Sequence, residues 1–161
     1  MLHPSFAVRL ASICAILTAQ IPTADAEDGP TYCPALTHVT ALVNTKERFA
    51  AIIGQPREGN FLETKLPLPS WGDCSFYGRR TYTCDSLPFA TVGEAERAFA
   101  TTLEEVKACL RGSWAEDQSR ASPGYAVLHD DRQVASITIN ADRTEKNEHI
   151  VRLILFLRNS R

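Results

Sequence analysis

The chain has 161 residues, of which 22% are charged and 44% hydrophobic, and its formal net charge is −2. So even a balance lacks the marked basic excess that nucleic acid or an anionic membrane surface requires, and neither is expected as a partner. Length is that of one modest domain with a single core.

Residues 1–26 have the three parts of an export signal: Arg9 near the start, an apolar run from Leu10 to Ile21, and the small-residue triplet Ala24-Asp25-Ala26. Cleavage after Ala26 is expected, which leaves a periplasmic or secreted domain over 27–161. The apolar run stops at Pro22, short of the roughly 20 residues that span a bilayer, so no membrane attachment is expected after cleavage. Cys14 follows Ile13, where lipid attachment wants a small residue. Cys33, Cys74, Cys84 and Cys109 remain, an even set in an oxidising compartment, and two disulfides are the natural reading. No pair has C-x-x-C spacing and no histidine stands at a ligand-like offset, so neither a metal nor a cofactor is expected.

In chain order, Leu36, Val39, Leu42, Val43, Phe49, Ile52 and Ile53 recur at helical spacing, between Pro34 at a first helical position and Gly54 as a stop. They predict a first helix over 34–53, with Asn44-Thr45 as the place for a kink or an early end. Pro56, Gly59, Pro67, Pro69 and Gly72 then allow at most a short edge strand at 61–66. Runs at 73–77 and 81–85 flank Gly78-Arg79-Arg80 as a hairpin.

A second helix starts at Thr91 and Glu94, spaced as a capping box. Its apolar face runs from Ala95 through Phe99 and Val106 to Leu110, and Gly112 is its stop. Strands are predicted at 125–129, 134–140 and 149–158. The last is apolar on both faces and broken only by Arg152, which marks a central strand or one whose outer face is covered. The fold class is therefore α+β in two layers: an antiparallel sheet of five to six strands with two helices on one face, in the order α-β-(β)-β-α-β-β-β. The halves form a loose helix-plus-strands repeat without residue-level similarity.

Counting inward across the hairpin loop sets Cys74 opposite Cys84, within reach of a bridge. Cys33 and Cys109 then pair if the helices lie antiparallel. A one-residue slip would instead join Cys33 to Cys74 or Cys84.

No nucleophile elbow, zinc-protease motif, phosphate loop or dinucleotide fingerprint is present. His129-Asp130-Asp131 is the best catalytic candidate, because an imidazole beside carboxylates could move protons. A solvated turn is favoured over that reading, since aspartates stabilise tight loops through their own backbone. Lone His38 and His149 read as structural. Glu104 and Glu105 point about 100° apart on a helix and do not converge. Trp71 and Trp114 read as closing small cores. Candidates for partner contact are Arg79, Arg80 and Tyr77 with nearby Tyr82, together with Ile154 and Phe156 on the outer side of the last strand.

The architecture resembles that of exported inhibitor and immunity proteins and of secretion chaperones, though no motif of theirs is matched. The expected function is an exported binding or inhibitor-type protein that meets a protein partner through its surface. The alternatives are a small hydrolase using His129 with Asp130 or Asp131, and an accessory chaperone that dimerises through the last strand.

Overall fold

In the computed structural model, residues 30–158 are described; the expected export signal and cleavage site lie outside them. Eight strands and two helices follow one another as two similar halves. Helix α1 (Cys33–Ala41) leads into β1 (Ile53–Pro56), β2 (Phe61–Thr64), β3 (Asp73–Tyr77) and β4 (Thr81–Asp85). Helix α2 (Val92–Cys109) leads into β5 (Trp114–Glu116), β6 (Tyr125–Asp130), β7 (Ala135–Arg143) and β8 (His149–Leu157). Each half is an antiparallel meander, and the two join through their last strands, so one sheet runs β1-β2-β3-β4-β8-β7-β6-β5.

The sheet thus has eight strands rather than five to six. The missed elements are β1 and β5, edge strands of four and three residues. Runs so short cannot show an alternation, and β1 carries Gly54 and Pro56, which read as breakers. Gly54 does not stop a helix: a Cβ there would lie 2.8 Å from the Cβ of Glu63, so glycine lets β1 and β2 approach.

The first helix also ends earlier than 53. Thr45 turns extended (φ −88, ψ 160) and its hydroxyl accepts the Arg48 N–H, which starts a short 3₁₀ turn over Arg48–Ala51 instead of continuing α1. A threonine side chain that bonds the backbone locally competes in this way with the helical ladder.

Helix α2 begins as its sequence dictates, with the Thr91 hydroxyl accepting the Glu94 N–H and the Glu94 carboxylate accepting the Thr91 N–H. Its buried Phe99 and Val106 face β7 and β8, while α1 packs on α2. Both helices contribute to one core with the inward side chains Phe76, Tyr82, Ile137, Ile139, Leu153 and Leu155. Phe76 stacks between Phe49 and Tyr82, with ring centroids 5.3 and 5.2 Å away.

Cys33 bonds Cys109, tying the start of α1 to the end of α2, and Cys74 bonds Cys84 across the β3–β4 hairpin. The register there sets Cys74 opposite Cys84 and Tyr77 opposite Thr81, as inward counting from the loop requires.

Strand β8 is central, paired along its length with β7 and to β4 on its other side. Val151, Leu153, Leu155 and Leu157 enter the core, which turns Ile150, Arg152, Ile154 and Phe156 to the opposite face. Among the described residues, no helix is long and apolar enough to cross a membrane.

Candidate functional site

Both helices cover the same face of the sheet, so the other face carries only strand side chains and the loops that rise beside it. Ile154, Phe156, Thr81, Thr83, Ser75 and Tyr77 lie there because each is one position out of phase with a core residue. A concave cleft of about 810 Å³ forms over β3, β4 and β8. One wall is the β1–β2 connection with Arg57 and Glu58, and the other is the end of β7 and the loop after it, with Arg143 and Glu145.

The floor is organised by Arg152. Its Nε donates to Asp85 Oδ1 at 2.6 Å, one Nη to Asp85 Oδ2 at 2.9 Å, and the other Nη to Asp142 Oδ2 at 2.7 Å. Asp85 on β4 and Asp142 on β7 flank β8, so one guanidinium ties three central strands together. These hydrogen bonds to Asp85, and then the nearby carboxylate charges, raise the Arg152 pKa further, so it stays charged. On one wall Arg57 is likewise held by Asp73, at 3.0 Å. Beyond Arg152 the floor is hydroxyl-bearing: Ser75, only 5% exposed, Thr81 and Thr83 line the cleft.

An aromatic pair closes one end. Phe61 on β2 faces Tyr77 on β3 in an edge-on contact with centroids 5.4 Å apart, and both are exposed, Tyr77 to 53%. Exposed Phe156 on β8 lies in the same cross-strand row, across Thr81 from Tyr77, and half-buried Ile154 lies in the next row, across Thr83 from Ser75. Arg79 and Arg80 stand at the tip of the β3–β4 hairpin, outside the cleft; Arg80 donates to the Leu157 carbonyl at 3.1 Å, and Arg79 lines a smaller groove behind the aromatic pair.

His129, Asp130 and Asp131 do not converge. Strand alternation sends His129 and Asp130 to opposite faces of β6. Asp130 is buried and accepts the Ala135 N–H at 2.8 Å and the Arg132 N–H at 3.2 Å, which fixes the β6–β7 turn. Asp131 is exposed, its N–H donating to the Ser113 carbonyl. His129 meets Asp117 instead, Nε2 to Oδ2 at 3.3 Å, while its Nδ1 is buried without a partner. The Ser119 hydroxyl, with smaller help from the Ser119 N–H and His129, holds the Asp117 carboxyl below the usual carboxylate range.

Glu104 pairs with Lys107, whereas Glu105 accepts the phenol of buried Tyr32 at 2.8 Å. Burial, and then the adjacent carboxylate, push the Tyr32 pKa far up. Trp71 packs edge-on to Tyr32 at 5.9 Å, Trp114 joins the edge of the core, His38 is exposed on α1, and the His149 carbonyl accepts the Phe89 N–H.

Sequence reasoning did not bring Phe61, Asp85, Asp142 and Asp117 to a site. The one signal it had was Arg152 itself, a lone charge in an apolar strand. The chain matches no protein-family model, no curated protein and no solved structure.

Proposed function

We propose that this protein is an exported binding module that grips a partner protein with the helix-free face of its sheet. The observation that carries this is the cleft on that face: a concave, hydroxyl-bearing floor flanked by an exposed aromatic pair and Ile154. Tyrosine and its aromatic neighbours are the usual anchors of protein interfaces, and an open apolar patch on a stapled scaffold marks a contact surface. Two disulfides and one shared core hold the face rigid, which lowers the ordering cost of association.

A hydrolase centred on His129 would need one ring nitrogen on the substrate and the other on an orienting group. Here Nε2 is taken by Asp117 and Nδ1 is buried, and Asp130 serves the turn. A chaperone dimer formed by pairing β8 edge to edge is opposed by the two strands already bonded to it.

The test is capture from periplasmic extract on the immobilised mature chain. A partner held by the wild type should be lost by Tyr77→Ala with Ile154→Ala and kept by Val92→Ala, at the exposed start of α2 on the helical layer. A partner that all three hold equally overturns the assignment of this face. Export itself is checked by intact mass, which should place the first residue at Glu27.

A further inference from the structure

Resting on that reading, we infer that the cleft takes a protruding protein loop carrying a lysine or arginine beside an aromatic or aliphatic side chain. The cleft's own charges set the sign. Arg152 is engaged by Asp85 and Asp142, and Arg57 by Asp73, so these guanidiniums are already neutralised. Glu58 on one wall and Glu145 on the other have no hydrogen-bond or ion-pair partner among the described residues, and the single cation facing no carboxylate is Arg143, bonded to the neutral Asn147 side chain. A cationic side chain entering between the walls meets two uncommitted carboxylates against one uncommitted guanidinium, Arg143, so the cleft's free charge is negative on balance and favours a cation.

The same sign argues against the other occupants. A second copy of this chain would bring the same excess of carboxylates to the cleft, and nucleic acid or an anionic lipid surface would add negative charge to it. Shape and hydrogen bonding complete the match. The cleft is concave, so its occupant is convex, and a loop tip brings backbone carbonyls and N–H groups to the floor. There the Ser75, Thr81 and Thr83 hydroxyls can each donate or accept. Ser75 is nearly buried as a residue but lines the cleft, where its hydroxyl can meet a polar group of the loop. The Phe61–Tyr77 pair supplies the wall for an apolar neighbour and, through its ring faces, for the cation's stem.

The probe is a library of disulfide-cyclised heptapeptides displayed on phage and panned against the immobilised mature protein, followed by affinity measurement on the enriched peptides. Basic residues next to an aromatic or aliphatic residue should dominate. Glu58→Gln with Glu145→Gln should weaken such peptides about five- to tenfold, and raising the salt from 0.05 to 0.5 M should do the same. Tyr77→Ala should cost about tenfold or more, while Glu104→Gln on the helical layer should cost nothing.

Enriched peptides that need Tyr77 but carry no positive charge, or that ignore the two glutamine changes, would overturn the charge inference and leave the binding face standing. Peptides indifferent to Tyr77 and to both glutamates would overturn the inference and the proposed face together. A dimer in solution that Tyr77→Ala dissolves would overturn the loop in favour of a second copy.

Discussion

Arg152→Met keeps most of the side-chain stem and deletes the guanidinium that joins Asp85 on β4 to Asp142 on β7. The three side chains are 28%, 29% and 34% exposed, neither surface nor interior. An exposed pair contributes about 0.2–1 kcal/mol and loss of one partner from a buried pair costs about 3–5 kcal/mol, so screening at these exposures places the loss at about 2 kcal/mol. Most of that cost comes from two carboxylates left facing each other across β8. Adding Asp85→Asn and Asp142→Asn to Arg152→Met should therefore recover much of it. Urea denaturation followed by circular dichroism reads the loss as a lower midpoint at unchanged slope. If Arg152→Met is as stable as the wild type, or the triple variant is no better than the single one, Arg152 is not an internal tie. Its charge would then be open to anionic ligands, and the expected sign of the cleft's occupant would fall with it.

Three further outcomes follow from the stapling, the β6–β7 turn and the titration of Asp117. Loop-closure entropy gives the Cys33–Cys109 link, with a sequence separation of 76, about 4.5 kcal/mol, and Cys74–Cys84, with a separation of 10, about 2.7 kcal/mol. Oxidised and reduced forms of each single-disulfide variant, compared by guanidinium unfolding, isolate one link at constant sequence, and the reverse order would contradict the model. Asp130→Ala strips two N–H groups of their acceptor at a buried site and should lower stability by about 2–3 kcal/mol in thermal unfolding; a loss typical of a surface change would show that the turn does not depend on it. The Asp117 carboxyl is held low chiefly by the Ser119 hydroxyl, so its contribution is present above the ordinary carboxylate value of about 4 and disappears as pH falls through the depressed one. Asp117→Asn should accordingly flatten the acid limb of the stability profile, and an unchanged limb would contradict that assignment.

The parts of the fold legible in the sequence were those whose signal is local. Thr91 and Glu94 announce α2 through two side-chain bonds three residues apart, and inward counting from Gly78 fixes the Cys74–Cys84 register. By contrast β5, at three residues, is stabilised by its pairing with β6 rather than by any pattern of its own. The helical path gives way near Asn44-Thr45, where weak propensity left room for an early end, because Thr45 turns extended and caps the following turn, although the apolar spacing runs on through Phe49 and Ile53. The cleft was less legible still. Its residues come from β2, β3, β4, β7 and β8, and only the β4–β8 pairing, between strands 67 residues apart at Asp85 and Arg152, brings them together. His129 and Asp130 attracted attention as sequence neighbours, and strand alternation then set them on opposite sides.

Hydroxyl-radical footprinting of the protein alone and with its captured partner tests the helix-free face most directly, because it reads side-chain exposure at aromatic and large aliphatic residues. Among the described residues, Phe61, Tyr77 and Phe156 on that face, and Leu87 and Val92 around the start of α2, are the exposed large apolar side chains and so the natural probes. The account predicts that the partner protects Tyr77 and Phe61 and leaves Leu87 and Val92 as reactive as before; protection of Leu87 and Val92 with Tyr77 and Phe61 unchanged would contradict it.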